Sequence, residues 1–91
     1  MIKQRPELAW FTGEMEKRLW ANEWKEGWTE CDDKYLLGRA EANLNLARMA
    51  LVDNDSPSLR KFAILCCADA ANFCMMIADN AQVRGEDEKP V

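Results

Sequence analysis

An apolar stretch near the C-terminus limits the possible folds of this chain more than any other part of its sequence. Between Phe62 and Ala78, apolar side chains recur around nearly the whole circumference of a helix. Ser56 as N-cap and Pro57 as the first helical residue mark its start, and the predicted helix spans about 57–81. Such a helix must be buried on several sides, and a chain of 91 residues with two other helices has too little protein to cover it. The sequence therefore predicts a partner, most simply a second copy of the chain in a dimer or higher homo-oligomer.

Two earlier segments also repeat with a helical period. The first is predicted over about 6–25, where Pro6 suits the first turn and Gly13 weakens the pattern. The second begins at the N-cap Asp32 and ends at a turn over about 53–57. Its apolar positions recur every three or four residues and predict the face that meets the core: Leu37, Ala40, Leu44, Ala47 and Leu51. Leu36 and Leu46 widen this stripe, as expected for a helix that packs on more than one neighbour.

These patterns predict an all-α fold, because no segment alternates convincingly as a strand. The expected architecture is an N-terminal helix followed by a long antiparallel helical hairpin, assembled as a homo-oligomeric helical bundle. The length suits a single domain over residues 1–84. Residues 85–91, rich in acidic side chains, are predicted to form a disordered tail.

Composition and charge exclude several classes of function. Hydrophobic residues make up 48% and charged residues 31%, a profile typical of a soluble globular domain. Twelve Lys and Arg against 16 Asp and Glu give a net charge of −4, which argues against bulk DNA or RNA binding. The chain has no His, so Ser-His and Cys-His catalysis and His-ligated zinc are excluded. The sequence also predicts no membrane span, because no apolar run approaches the roughly 18–20 residues that a spanning helix requires. It predicts no signal peptide, because the N-terminus has no apolar block and no small-residue cleavage site.

Four cysteines indicate the redox environment. They are Cys31, Cys66, Cys67 and Cys74, and none has the Cys-x-x-Cys spacing of zinc or redox sites. Cys67 and Cys74 lie two helical turns apart, about 10 Å, which exceeds the Cα separation that a disulfide allows. Thiols within an apolar stretch favour packing in a reducing compartment, so the sequence predicts a cytoplasmic protein.

Asp69 is the single most informative residue about a site, because it lies in the middle of the apolar helix. A carboxylate there is costly unless it is paired, hydrogen-bonded or bound to a metal. Asn72 follows three residues later and shares its helix face. Two interpretations stay open: a polar pair that bonds to a neighbouring helix, or part of a ligand site.

A second candidate feature is a series of tryptophans. Trp20, Trp24 and Trp28 follow one another at intervals of four, so they lie along one side of a helix for as long as it lasts. Lys25 is close to this stripe, and aromatic rings beside a cation are able to hold a nucleobase and its phosphates. The same spacing also suits packing or an oligomer interface. The predicted interface residues are Trp20, Trp24, Phe73 and Met76.

Three strings of residues resemble a known family. They are Leu19-Trp-Ala-Asn-Glu-Trp-Lys-Glu-Gly-Trp28, Tyr35-Leu-Leu37 and Ala71-Asn-Phe-Cys-Met-Met-Ile-Ala-Asp79. Together, over about residues 14–82, they look like the small phage and prophage MazG-like proteins, which belong to the all-α nucleoside triphosphate pyrophosphohydrolases. The resemblance implies a helical fold and a nucleotide site. The residues that it assigns to this site are Asn22, Lys25, Trp28, Asp69 and Asn72.

The resemblance also implies a magnesium site, which this sequence retains only in part. Family members hold Mg²⁺ with four carboxylates, a Glu-x-x-Glu pair on one helix and a Glu-x-x-Asp pair on the next. The first pair would fall across residues 42–46, which contain no acid, and Cys66 stands where the Glu before Asp69 is expected. Asp69 and Glu41, just outside the window, are the candidate metal ligands. We therefore expect no cofactor and no catalysis by the family mechanism, and Mg²⁺ only if the protein is an enzyme.

The function predicted from these residues is that of a non-catalytic MazG-like phage protein. It would bind a nucleotide, a nucleotide-derived signal or a host protein, in a counter-defence or regulatory role in the host cytoplasm. Two alternatives stay open. One is a Mg-dependent nucleoside triphosphate pyrophosphohydrolase with a rearranged metal site. The other is a small protein-interaction inhibitor of a host defence or replication protein.

Overall fold

The computed structural model describes residues 3–23, 27–53 and 55–88 of the chain, with side chains as far as residue 85. Its elements are helix α1 (Pro6–Ala21), a one-turn 3-10 helix (Trp28–Glu30), helix α2 (Asp33–Ala50) and helix α3 (Pro57–Glu88). No strand occurs in these described ranges, and the prediction of an all-α fold is confirmed.

Helix α1 begins where the sequence predicts and ends about one turn earlier. Pro6 occupies its first position, after an extended Arg5. The helix ends before Glu23, whose φ of 61° lies in the left-handed region and cannot continue a right-handed helix. The prediction that this helix reaches residue 25 is therefore wrong, and Trp24 and Lys25 lie outside the described residues.

Helix α2 begins at the predicted cap but turns a different face to the core. Asp32 accepts a hydrogen bond from the backbone N–H of Lys34 at 3.2 Å. The residues that it buries are Leu36, Ala40, Asn43, Ala47 and Ala50. The predicted face is wrong in its three leucines, at positions 37, 44 and 51, each of which is close to half exposed. Small alanine side chains allow α2 to approach α3 closely, and the larger leucines then flank the contact.

Helix α3 has the predicted start and a later end. The Ser56 hydroxyl oxygen accepts a hydrogen bond from the backbone N–H of Leu59 at 3.3 Å, as an N-cap does. The helix then runs for 32 residues to Glu88, beyond the predicted end at residue 81 and into the segment predicted to be a disordered tail. One glycine, Gly85, weakens a helix by only about 1 kcal/mol, and the first strong helix breaker is Pro90.

Helix α3 is the central element, and α1 and α2 pack on different sides of it. Helix α2 runs antiparallel to α3, because Asp33 at its start bonds to Arg84 near the end of α3 at 2.9 Å. Within the described ranges, the backbones of α1 and α2 do not approach each other closely. The core consists of Leu36, Ala40, Phe73 and Met76, with Leu19 and Trp28 packed against them. None of the residues of α1 is fully buried.

The apolar character of α3 also bears on membranes. Helix Pro57–Gly85 is long enough to cross a bilayer and contains an 18-residue window with a mean hydropathy of 1.6, so the prediction that no such segment exists is wrong. Core helices of soluble proteins share this length and apolar composition with membrane spans. In this structure 39% of its most apolar window is buried within the chain.

Candidate functional site

A pocket lies at the level of Asp69, between α1 and α2, with α3 as its floor. Its lining residues are Arg18, Asn22, Tyr35, Arg39, Asn43, Asp69 and Phe73, and its volume is about 330 Å³. On each of the three helices these residues follow one another at intervals of four, so each set shares one helix face. This site is referred to below as the arginine pocket.

An ion pair between Arg18 and Asp69 joins α1 to α3 inside the pocket. Arg18 donates from Nε to Oδ1 of Asp69 at 2.9 Å and from Nη2 to Oδ2 at 3.1 Å. Asn22 donates to the same Oδ1 at 3.3 Å. The side chains of Arg18 and Asp69 are only 24% and 15% exposed, and their hydrogen bond raises the pKa of Arg18 despite its partial desolvation. Asp69 thus bonds to a neighbouring helix and lines a pocket at the same time.

Arg39 is the second cation of the pocket, and it is held differently. Its guanidinium carbon lies 5.8 Å from the centroid of the Phe73 ring, within the range of a cation–π contact. It forms no ion pair with any other described residue. The side-chain amide of Asn43 donates to the backbone carbonyl of Arg39 at 2.9 Å. Since Arg39 is exposed, its guanidinium is accessible to a ligand.

The charges of the arginine pocket favour an anionic ligand. Two guanidiniums and one carboxylate line it, which leaves one net positive charge. Cys66, one turn before this part of α3, adds no negative charge, because burial and the nearby carboxylate of Asp69 raise the pKa of its thiol. All four cysteines of the chain are free.

Two of the five predicted nucleotide-binding residues, Asn22 and Asp69, meet in this pocket. Asn72 is directed elsewhere, because it donates to the backbone carbonyl of Met15 at 2.9 Å and lines a separate cleft beside α1. Its Oδ1 is buried and has no hydrogen-bond partner in the part of the chain that the structure describes. Lys25 lies outside the described residues.

Trp28 anchors the 3-10 helix to α3 and is separate from the arginine pocket. Its indole N–H donates to Oδ2 of Asp79 at 2.9 Å, and its backbone carbonyl accepts from Asn80 at 3.1 Å. The bond from Trp28, with a second from Gln82, lowers the pKa of the Asp79 carboxyl. Asp79 lies ten residues beyond Asp69, about 15 Å farther along the helix. The structure therefore does not bring Trp28 together with Asp69.

The magnesium site that the resemblance implies is not assembled. Both carboxylate oxygens of Asp69 accept hydrogen bonds from Arg18, a cation that stands where a metal ion would bind. Glu41 is exposed on α2 and does not line the arginine pocket. Across the described ranges, no three Asp, Glu, His or Cys side chains come together as a metal site requires. The residues present do not fit Mg²⁺.

The predicted interface residues separate into core and surface. Phe73 and Met76 are buried within the chain itself, against Leu36 and Ala40 of α2. Because α2 covers both side chains, they leave almost no exposed surface for a partner in this structure, and their assignment to an interface stays a prediction. Trp20 is exposed on α1, whereas Trp24 lies outside the described residues.

Sequence reasoning missed Arg18 and most of the α2 side of the pocket. Arginines on helices usually face solvent, so neither Arg18 nor Arg39 was singled out. A signal was present nevertheless, since Tyr35, Arg39 and Asn43 recur at intervals of four on α2. A search for polar and aromatic side chains with this spacing would have found them.

Comparisons with known proteins add no relative. No protein-family model, no curated protein and no solved structure matches the chain. The likeness to the MazG-like proteins therefore stays a prediction that rests on the three strings of residues.

Proposed function

We propose that this chain binds a nucleotide or a nucleotide-derived signal in the arginine pocket and releases it uncleaved. The observation that carries the proposal is the position of Arg39. Its guanidinium has no carboxylate partner among the described residues and lies beside an aromatic ring, in a pocket of net positive charge. An anion that also carries a planar ring matches both features.

The phosphate groups of the ligand are assigned to the two arginines. A guanidinium presents its N–H donors in a planar fork that matches phosphate oxygens, and such charge-assisted bonds are about twice as strong as neutral ones. Asp69 engages Nε and Nη2 of Arg18, which orients the guanidinium and leaves Nη1 for a ligand. Arg39 supplies the charge that no carboxylate balances.

The base of the ligand is assigned to the α2 side of the pocket. Tyr35 offers a half-exposed ring on which a base is able to stack, an interaction of about 1–3 kcal/mol. The side-chain amides of Asn22 and Asn43 supply donors and acceptors for the edge of a base or for ribose hydroxyls. The pocket volume of about 330 Å³ is at the lower end of the range for small-molecule sites.

The proposal does not include catalysis. The resemblance implies hydrolysis assisted by Mg²⁺, but Asp69 is occupied by Arg18 and the described residues offer no second and third ligand for the ion. A pocket that neutralises an anion with guanidiniums holds phosphates without activating a water for attack on them. The resemblance to phage MazG-like proteins supports a counter-defence or regulatory role in the host cytoplasm, in which a nucleotide signal is sequestered.

The test is equilibrium binding of a panel of nucleoside triphosphates and cyclic nucleotides, with EDTA and with Mg²⁺. The bound fraction is released by denaturing the protein and analysed by chromatography. We expect at least one nucleotide to be depleted from solution, to be recovered intact, and to bind equally well in EDTA. Arg39→Ala should abolish this depletion, whereas Arg48→Ala is the matched control, an exposed arginine on the same helix that does not line the pocket.

Each other outcome points to one of the alternatives. Cleaved products that require Mg²⁺ would identify a pyrophosphohydrolase with a rearranged metal site and overturn the proposal. If every nucleotide stays free, the arginine pocket does not bind this class of ligand, and the interpretation as an inhibitor of a host protein takes its place. Equal loss of binding in both arginine variants would place the ligand outside the pocket.

A further inference from the structure

A second cavity of ligand size lies on a different side of α3 from the arginine pocket. Side chains from α1, from the end of α2 and from the first turns of α3 line it: Trp10, Phe11, Leu51, Arg60, Ala63, Ile64 and Cys67. Cys67 and Asp69 stand two positions apart on α3, so they point in nearly opposite directions from the helix axis. The two cavities are therefore separate, and the second is referred to below as the apolar groove.

On α3 the apolar groove follows one stripe of the helix. The α3 residues that line it occupy positions i, i+3, i+4 and i+7, from Arg60 to Cys67, and so share one helix face. The first and the last are separated by about 10 Å along the helix axis. Trp10 and Phe11, whose ring centroids are 6.0 Å apart, line the α1 side of the groove. The groove thus runs along two turns of α3 beside two aromatic rings.

Charge is confined to one end of this stripe. Arg60 is the only charged residue among the described lining residues, and its backbone N–H donates to the carbonyl of Ser56 at 3.0 Å, in the first turn of α3. An arginine lays its aliphatic stem along apolar surface and keeps its guanidinium toward water. The guanidinium has five N–H donors, so a ligand carboxylate has donors to bind beside those that the protein uses. The groove therefore has a cationic end and an apolar body.

We propose that the apolar groove binds a free medium-chain fatty acid, with its carboxylate at Arg60 and its acyl chain along α3 toward Cys67. One cation at the end of an apolar cavity is complementary to one anion at the end of an apolar chain. A guanidinium and a carboxylate form charge-assisted hydrogen bonds that also fix the direction of the ligand. The groove volume of about 460 Å³ lies within the range of small-molecule sites, about 300–1,000 Å³, which are mostly apolar with a few polar groups.

The charges around the groove favour a single amphiphile over an anionic membrane. Surfaces that bind anionic lipids carry clusters of about four to eight Lys or Arg. The first turns of α3 carry two, Arg60 and Lys61, and the preceding turn carries Asp53 and Asp55. The net charge of the whole chain is −4, which opposes attraction to an anionic bilayer. A fatty acid in solution meets only the groove and its one guanidinium.

The test is isothermal titration of the whole chain with sodium decanoate, at concentrations well below those at which decanoate forms micelles. We expect saturable binding of one decanoate per chain. Arg60→Gln should weaken this binding by about five- to tenfold, because the carboxylate loses its cation. Lys61→Gln is the matched control and should bind like the unsubstituted chain, since Lys61 is the neighbouring exposed cation and does not line the groove.

Decanol separates the contribution of the charge from that of the acyl chain. It has the same tail and no carboxylate, so Arg60→Gln should not change its affinity. Trp10→Ala should weaken both ligands by about threefold or more, because less apolar surface leaves water on binding. Trp10 is 53% exposed, so helix content measured by circular dichroism should be unchanged in this variant. A loss of binding at unchanged helix content is then a loss of the contact and not of the fold.

Four outcomes would overturn the proposal. The first is a folded chain that does not bind decanoate, and the second is equal weakening by Arg60→Gln and Lys61→Gln. Binding to phosphatidylglycerol vesicles without binding of free decanoate would assign the groove to a lipid surface. A dimer that Trp10→Ala dissociates and decanoate does not would assign it to a second copy of the chain. Nucleotides should not compete with decanoate, so failure of this proposal leaves the arginine pocket untouched.

Discussion

Two cavities of this chain lie between residues of the same three helical regions and differ in chemistry. The arginine pocket carries two guanidiniums, a carboxylate and two amides. The second cavity, the apolar groove, has one arginine among apolar side chains, and its described lining residues are Trp10, Phe11, Leu51, Arg60, Ala63, Ile64 and Cys67. The difference shows that the side chains which each helix turns toward a cavity decide what that cavity accepts.

The two cavities open on different sides of α3. Cys67 lines the groove and Asp69 lines the pocket, and residues two positions apart point in nearly opposite directions from a helix axis. Because the groove and the pocket share no lining residue, substitutions in one should leave the binding properties of the other unchanged.

The largest effect is expected from Arg39→Ala, which tests whether the pocket and the groove are independent. Loss of a charge-assisted bond to phosphate should weaken nucleotide binding by about 10- to 100-fold, since such bonds contribute about 1.5–3 kcal/mol. The sedimentation coefficient of the chain should not change, because Arg39 does not line the apolar groove. Isothermal titration with nucleotide and sedimentation of the same variant give the two numbers. A simultaneous change in both would show that the pocket and the groove act as one site.

The next effect is expected from Asp69→Asn, which separates an arginine pocket from a metal site. The substitution removes the only carboxylate among the described lining residues of the pocket, so nucleotide affinity should be unchanged or a few times higher. The free energy of unfolding should fall by about 1–3 kcal/mol, because the ion pair with Arg18 is lost. Urea unfolding and nucleotide titration measure these quantities. Abolished binding in a folded variant would instead indicate that Asp69 holds a metal ion for the ligand.

A smaller effect is expected from Trp28→Phe, which tests a residue that lines neither the arginine pocket nor the apolar groove. The variant loses the indole donor to Asp79 and should be less stable by about 0.5–1.5 kcal/mol in urea unfolding. Nucleotide affinity should equal that of the unsubstituted chain, since Trp28 is anchored about 15 Å along α3 from Asp69. Weaker nucleotide binding at unchanged stability would show that Trp28 contacts the ligand, as the sequence predicts.

The smallest effect is expected from Asp79→Asn, which tests how the free energy of unfolding depends on pH. Bonds from Trp28 and Gln82 depress the pKa of Asp79 below its ordinary value of 3.8, so the ionised carboxylate stabilises the folded chain above that pH. The contribution is lost as the pH falls through the depressed pKa. Asp79→Asn should therefore be less stable than the unsubstituted chain at neutral pH, and the difference should shrink in acid. A difference independent of pH would exclude the carboxylate charge as its source.

Local signals in the sequence predicted the helices well at their beginnings. Asp32 and Ser56 accept the expected capping bonds, and Pro6 and Pro57 occupy first helical positions. A cap depends on residues within three or four positions of it, so the chain carries this information locally. The ends were less predictable, because the left-handed Glu23 has no comparable signature in the sequence.

The buried face of α2 was predictable only to within one residue. The period of three and four was correct, but the contact is centred on Leu36, which the pattern placed at the edge of the stripe, and Asn43 is buried where the pattern favoured Leu44. Hydrophobicity alone ranks leucine above asparagine. Close packing of two helices instead places small side chains at the contact, and the identity of the opposing helix decides which side chains those are.

The sequence alone determined that this chain is helical, where its helices begin and that Asp69 needs a polar partner. Each of these follows from period, capping and the cost of a buried charge, which act over a few residues. Only the tertiary structure decided that the partner is Arg18, 51 positions away, and that Trp28 pairs with Asp79 instead of joining Asp69. The candidate site depends on how α1 and α2 are placed around α3, and that placement results from packing between distant segments, which no local pattern records.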